Sequence, residues 1–520
     1  MAALVLTRRE LLGAFLGAPF AAAACRREPA TPPLPPGEIV GASHAVGHRL
    51  RDSGAMPRPT RWESHDVVIA GGGVAGLSAA WRLASAGIDD VVLLELEPAP
   101  GGTSRSGASY PWGAHYVIAP SPENRVLRRV LDDMGVMEAE QPAEQFIVRD
   151  PEERVFYRGR WYEGLYLYAG ASHEDLRQLR AFEQEIAHWT KWRDARGRPA
   201  FAIPVAYGSD DDEVTALDRI SMRTWLDAHR FTSPRLRWFV EYACRDDYGS
   251  LLDDTSAWAA IFYFASREER PVITWPEGNG RLVAHLARYA RPRLGWLVTE
   301  ITPVDDGADV VAIKGDEAIG IHAKRVIFAG PQFVARRVIP SRAMADEFTY
   351  GSWLVANVAI RDRPAVDGFP LAWDNVLYES PALGYVTATH QRGIDRGPTI
   401  FTYYYALCDH DPRVARERLL SLDREQWAEI ALSDLSRAHP EIRSLAERVD
   451  IMRWGHAMIR PRPNFVWSDA RRNAAKPHGA IHFANTDLSA VALFEEALYH
   501  GVRAGEEVAN ALGRASATYL

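Results

Sequence analysis

The sequence predicts an α/β fold with a parallel sheet at its centre. Three observations carry this: a glycine-rich strand-to-helix turn at residues 65–86, a second short apolar strand ending on a carboxylate, and further strands that recur in βα alternation toward the C-terminus. The run Asp66–Ala70 reads as a buried parallel strand, and Gly71-Gly72-Gly73-Val74-Ala75-Gly76 turns the chain into a helix over Leu77–Ala86. Gly71 permits the tight turn, Gly73 lets the backbone approach a pyrophosphate, and Gly76 lets helix and strand pack closely. Val74 and Ala75 lie in this turn, and the unpaired N–H groups and positive dipole end of the helix that follows favour phosphate. Val91–Leu94 forms the next strand and ends at Glu95, 19 residues beyond Gly76. A carboxylate at that spacing accepts hydrogen bonds from ribose hydroxyls and repels a 2′-phosphate, so the turn reads as a dinucleotide site that disfavours NADP.

Composition sets bounds. The chain has 520 residues, 47% of them hydrophobic, and a net charge of −8, enough for one large or two medium cores. The acidic balance and the lack of a dense Lys/Arg run in the body argue against nucleic acid as a partner. Cys244 and Cys408 are far apart and lack CxxC spacing, so neither a disulfide framework nor a zinc site is indicated, and no metal-ligand spacing stands out.

At the N-terminus, Arg8-Arg9 precede an apolar run from Leu11 to Ala24 that is too short to cross a bilayer and closes on Ala22-Ala23-Ala24. This resembles a twin-arginine export signal over residues 1–25, which implies a periplasmic protein or one held on the outer side of the inner membrane. Cys25 resembles the lipidated cysteine of a bacterial lipoprotein, with Ala22 where such signals place Leu; ordinary cleavage nearby is the alternative reading. Residues 26–60, rich in Pro, Gly and Arg, read as a flexible linker.

Beyond Glu95 come Gly101-Gly102-Thr103-Ser104-Arg105 and Tyr110-Pro111-Trp112-Gly113-Ala114-His115-Tyr116. Near the C-terminus stand His482-Phe483-Ala484-Asn485-Thr486-Asp487 and the segment Ala492–Ala504, which includes Phe494. Between them lie Val298–Ile301, Asp309–Ile313 and Arg325–Pro331. Together these blocks resemble the flavin-containing amine oxidase and phytoene-desaturase-like superfamily. The resemblance implies FAD as cofactor and a discontinuous Rossmann-like, glutathione-reductase-like FAD-binding domain over 61–125, 270–345 and 450–515. An interleaved α+β substrate domain would occupy 126–269 and 346–449. Within it the pattern gives helices at Ser172–Arg193 and Arg416–Ala438, and strands at Val355–Ile360, Gly384–Thr389 and Pro398–Leu407.

By the same resemblance, Gly102, Thr103, Gly113 and Ala114 lie near the cofactor, and Arg105 stands in for the usual Arg that holds phosphate or flavin. Val298 offers its backbone to adenine, and Asn485-Thr486 replace the usual Gly-Glu of a closing turn whose helix carries Phe494. Candidates for the substrate pocket are His115, Tyr116, Trp275 in the turn Ile273–Gly280, and Trp454 before the closing motif. His115 reads equally as a structural histidine or a base. The acids Asp246-Asp247 and Asp253-Asp254 read either as a steering patch for a cationic amine or as a solvated face, and one or two of Tyr403-Tyr404-Tyr405 face the pocket.

The strand Tyr350–Val358 lacks the lysine that many amine oxidases place beside the flavin; the chain's lysines are Lys191, Lys314, Lys324 and Lys476. No second glycine-rich fingerprint encodes a bound NADH. The expectation is an FAD-dependent oxidoreductase taking hydride from a C–N or C–C bond of a small molecule and passing electrons to oxygen, a quinone or a protein. Two alternatives are a desaturase or isomerase of an apolar, lipid-like substrate and an FAD-binding electron relay.

Overall fold

The computed structural model describes residues 32–52, 56–267, 270–342 and 347–520. The twin-arginine reading and Cys25 therefore lie outside the described residues. Two large sheets organise the rest. The first has seven strands and begins with Trp62–Ala70, which pairs in parallel with Val91–Glu95 on one side and with Glu317–Phe328 on the other. An antiparallel meander of Leu297–Val304, Gly307–Lys314 and Glu317–Phe328 extends it, and Ile481–Phe483 pairs with the last of these in parallel. The Val/Ile/Leu runs of the parallel strands are buried because helices cover them, as parallel sheets require. Helix Val74–Ser85, which begins three residues before the sequence expectation, packs against the closing helix Phe494–Ala511. That packing is close: a Cβ on Gly501 would lie 2.2 Å from the Ala75 carbonyl oxygen.

The second sheet has eight strands, in the spatial order 39–41, 446–459, 350–360, 399–406, 384–387, 374–377, 153–157 and 160–163. Two expectations change here. Strand Ala446–Ile459 belongs to this sheet, so the last nucleotide-binding segment starts after it and not at residue 450. The linker reading of 26–60 also fails for its described part, because Ile39–Gly41 pairs in parallel with Ile451 and Met452. Pro and Gly suggested a tether, but Pro36 and Glu38 supply carbonyls to Val449 and Ile451, and Leu34 and Ile39 pack on the core below.

The expected helix over 416–438 is two helices, Pro412–Ser421 and Arg424–Ala438, because Asp423 and Gln426 form a capping box that restarts the chain. The capping box of Ser172 and Asp175 likewise starts His173–Lys191 where expected. Helices 234–248 and 257–265 then form an aromatic-rich cluster beside the larger sheet. Among the described residues no helix is long and apolar enough to cross a membrane.

Candidate active site

The glycine turn builds an anion cradle. Gly73 caps helix Val74–Ser85 with extended backbone, the cap has no side-chain partner, and the first turn carries no acid. A Cβ on Gly73 would meet nothing within 4 Å, whereas one on Gly76 would lie 1.9 Å from the Gly71 carbonyl oxygen. One glycine leaves room for an approaching ligand and the other closes the helix onto the strand. Glu95 is buried beside them, and its oxygens accept from the backbone N–H of Gly72 at 2.6 Å and of Glu97 at 2.7 Å. Burial raises its pKa while the two N–H groups act in the opposite sense. Leu297-Val298 follow Trp296, whose N–H donates to the Glu95 carbonyl, so Val298 stands beside the strand end that carries the carboxylate.

A cavity of about 130 Å³ runs past Thr103, Gly113 and Ala114 to Trp353, Trp454, Leu493 and Phe494, and Gly101, two residues before Thr103, donates to the Gly72 carbonyl of the turn. The Trp353 ring forms part of its wall, with the indole N–H packed against Gly249. Closing helix Phe494–Ala511 points an uncapped N-terminus toward the same space. Of its first-turn carboxylates, Glu495 lines this cavity and accepts from the Ile118 N–H, while Glu496 accepts from the Val205 N–H and the Ser489 hydroxyl. Two uncapped helix N-termini, the open space over Gly73 and the buried Glu95 carboxylate beside the glycine turn fit a flavin dinucleotide.

Arg105 offers no free guanidinium to it. The side chain is buried, pairs with Glu97 at 3.0 Å and lies over the Trp454 ring, so the phosphate-holding role expected for it is not what the structure displays. Trp454 also donates to the Trp112 carbonyl at 2.6 Å, which fixes its ring in the cavity wall. Trp275 packs in the nucleotide-side core against Phe146 and lines neither cavity. Asn485 turns inward to cap residues 486–488, and neither it nor Thr486 lines a cavity.

A second cavity of about 270 Å³ adjoins the first. His115, Tyr116, Asp246, Arg267 and Tyr404 line both. The strand Tyr116–Ile118 is held by Val272–Thr274, and Thr274 and Asn279 bond the carbonyls of His115 and Tyr116 at 2.7 and 2.9 Å. His115 thereby sits among three rings: Tyr116 at 5.0 Å, Trp373 at 5.2 Å and Tyr404, stacked, at 5.3 Å. Tyr404 is the member of the tyrosine triple that faces the cavity, and its hydroxyl donates to the Gly113 carbonyl at 2.8 Å. Burial pulls His115 down to about 4, so its ring is neutral near pH 7 and forms a polar wall.

The opposite wall is acidic, with Glu152, Glu153, Asp246 and Asp374. Burial and mutual repulsion push Glu153 up to about 7; burial and the neighbouring Asp247 push Asp246 up to about 7. Arg267 is engaged with Asp247. Sequence reasoning named Asp246-Asp247 only as one of two readings and missed Glu153, Asp374, Tyr242 and Trp373. The available signal was a charge within an apolar strand, as in Trp373-Asp374-Asn375-Val376-Leu377. Asp253 and Asp254, grouped with Asp246 in the sequence, instead pair with Arg223 and Arg460 away from the site.

Comparison with known proteins agrees with this architecture. Residues 74–509 match the family described as flavin containing amine oxidoreductase. No curated protein matches the chain by sequence. Among solved structures, putrescine oxidase bound to putrescine is similar at 17% identity and a TM-score of 0.61, covering 87% of this chain and 100% of its own. Cyclohexylamine oxidase from Brevibacterium oxydans IH-35A is similar at 15% identity and a TM-score of 0.60, with coverage of 86% and 99%. A fatty acid isomerase from P. acnes is similar at 15% identity and 0.59, with coverage of 86% and 98%. At these identities the likeness speaks for the fold.

Proposed function

Because the chain belongs to the flavin containing amine oxidoreductase family and is an FAD-dependent oxidoreductase, we propose that it oxidises the C–N bond of an amine. The observation that carries this reading is the second cavity, in which an aromatic cage faces a wall of carboxylates. Aromatic faces and carboxylates both attract an ammonium, and the four acids outnumber the two arginines of the lining, Arg267 and Arg270, the first of which is engaged with Asp247.

FAD, when bound, supplies the two-electron acceptance that such an oxidation needs. The chain's own residues do the rest. Trp373, Tyr404 and His115 exclude water and orient the carbon next to nitrogen toward the nucleotide-side cavity. An ammonium must lose a proton before that carbon can give up hydride, and Asp246, raised to about 7 and lining both cavities, is the acceptor in reach. The substrate loses one proton and one hydride, leaving a C=N bond that water hydrolyses to a carbonyl and a smaller amine or ammonia.

No lysine lines either cavity. That favours a quinone or a protein over oxygen as the final electron acceptor. The N-terminal arginine pair and apolar run favour export by the twin-arginine route to the periplasm, with Cys25 as a candidate anchor to the membrane. The test is anaerobic flavin reduction by the purified holoprotein across a panel of amines and long-chain lipids. Bleaching by amines supports the reading; bleaching by lipids alone replaces it with desaturation or isomerisation.

A further inference from the structure

The residues that precede the first nucleotide-binding strand return to its carboxylate end. After the edge strand Ile39–Gly41, the Ala42 N–H donates to the Arg453 carbonyl, next to Trp454 in the wall of the nucleotide-side cavity. The chain then crosses to the nucleotide unit, where the Ser43 N–H and hydroxyl both donate to the Glu97 carboxylate, at 2.8 and 3.0 Å. A short helix, His44–Gly47, and a tighter turn, His48–Leu50, follow. A Cβ on Gly47 would stand 3.6 Å from the Leu96 side chain, which is ordinary contact. Leu50 packs with Leu96 against Leu297, Ile313 and Ala318, and also reaches the cluster that holds Leu94, Trp296 and Val298. Arg49 ties the turn down by donating to the Gly315 carbonyl at 2.9 Å.

These contacts converge on three consecutive residues. Glu95 carries the carboxylate placed for a ribose, Leu96 follows it, and the Glu97 N–H donates back to the Glu95 carboxylate at 2.7 Å. The order of support is therefore Ser43 on the Glu97 side chain, then the Glu97 backbone on Glu95. Arg105 donates to the same Glu97 oxygen that takes the Ser43 hydroxyl, so the Glu97 carboxylate is held from two sides. Without Ser43 and Leu50, Glu95–Glu97 would be an exposed turn fixed only at its strand end and by Arg105. A carboxylate that must be ordered before it can accept ribose hydroxyls binds them more weakly by the cost of ordering it.

We propose that residues 43–50 are a working part of the dinucleotide site: they hold Glu95 in position for the adenosine ribose and so retain FAD. Ser43 is a positioning residue that acts through Glu97, and Leu50 backs the same turn through Leu96. The adenosine half of the cofactor should feel their loss and the flavin half should not. The inference concerns the cofactor alone and stands whatever the substrate.

The test follows release of FAD from the holoprotein as the rise in flavin fluorescence after dilution. Ser43→Ala and Leu50→Ala should each release FAD about ten-fold faster than the wild type, as expected for one lost hydrogen bond to a charged group or one lost apolar contact. Ser43→Thr keeps the hydroxyl and should stay within about two-fold. FMN, which lacks the adenosine half, should bind the flavin-free wild type and variants alike, within about two-fold. Thermal midpoints of the flavin-free proteins establish that each variant folds. A further measurement needs no variant: amide hydrogen exchange over residues 43–50 of the wild type should slow about five-fold or more with FAD and stay unchanged with FMN. Wild-type release of FAD from both folded alanine variants, an equal loss of FMN, or exchange that FAD leaves unchanged overturns the proposal. A wild type that takes up no FAD at all overturns the cofactor assignment itself.

Discussion

Arg154 Nε donates to Asn375 Oδ1 at 2.5 Å, bridging the same two strands that carry Glu153 and Asp374. Side chains alternate across a strand, so this bond lies on the sheet face opposite the acids and fixes the register that brings them together. Arg154 is fully buried, donates also to Tyr385 and the Phe369 carbonyl, and lies over the Trp161 ring at 3.7 Å. Asn375 in turn donates to the carbonyls of Ala372 and Trp373. A buried guanidinium satisfied by neutral acceptors and an aromatic face here supports a site that it does not touch.

Replacing Arg154 by Ala should therefore cost about 3 kcal/mol or more of stability, because Asn375 and Tyr385 lose their donor in a dry environment and a cavity opens beside Trp161. Chemical denaturation of the variant measures this. Arg154→Lys should not restore it, since an ammonium cannot reach the three acceptors in one plane.

The buried acids give stability a definite pH dependence. Glu153 and Asp246 have ordinary values of 4.5 and 3.8 and stand at about 7 in the folded protein. Folding thus favours their protonated forms. Their contribution is fully present below the ordinary values, declines as pH rises, and is lost above about 7. The groups facing them are Glu152, Asp374, Asp247, Arg245, Arg267, Arg270, Tyr242 and Tyr263. Thermal midpoints of the amine-free protein should fall between about pH 5 and pH 7, and Glu153→Gln should flatten that fall.

The glycine turn makes an unforgiving prediction. Gly76→Ala places a methyl group 1.9 Å from the Gly71 carbonyl oxygen, so it should abolish flavin retention, read as the ratio of flavin to protein absorbance. Gly87→Ala is the control: its φ of +71° is strained for Ala, but the Cβ position is open. That change should cost about 1 kcal/mol and leave the flavin in place.

Trp353 and Val355 are the residues of strand Tyr350–Ile360 that line the nucleotide-side cavity. With no lysine on this strand or in either cavity lining, the reduced enzyme should be reoxidised by a soluble quinone at least about ten times faster than by dissolved oxygen. Stopped-flow mixing of reduced enzyme with each acceptor checks this.

The nucleotide cradle was legible because its chemistry is local. Gly71, Gly73, Gly76 and Glu95 act through backbone geometry and fixed spacing, and a linear pattern records both. The aromatic segment Gly113–Tyr116 was legible for the same reason, through its family motif. The acidic wall was not, since Glu153, Tyr242 and Asp374 come from two strands and a helix that only the sheet order brings together. Arg105 shows the converse. The motif gave its position correctly, but its partner Glu97 comes from the loop after the second strand, and no spacing rule announces an ion pair. Residues 32–52 misled because the prolines that read as a tether stand before the strand Ile39–Gly41, where a carbonyl such as that of Pro36 can still accept from Val449 without needing an N–H.

That edge strand ties the two ends of the chain in time as well as in space. Gly41 has its partner at Met452, and the Ser43 backbone N–H and hydroxyl both find Glu97 across the nucleotide unit. The first described residues to leave the ribosome are thus among the last to find their place, since they cannot dock until nearly all of the chain exists. Once docked, they shield the outer edge of strand Ala446–Ile459, an edge otherwise open to another chain. A protein trimmed to residue 32 should keep this seal, whereas one trimmed to residue 57 should melt at a lower temperature and associate through the bare strand. The segment next to the N-terminus serves as a clasp that can fasten only on a finished molecule.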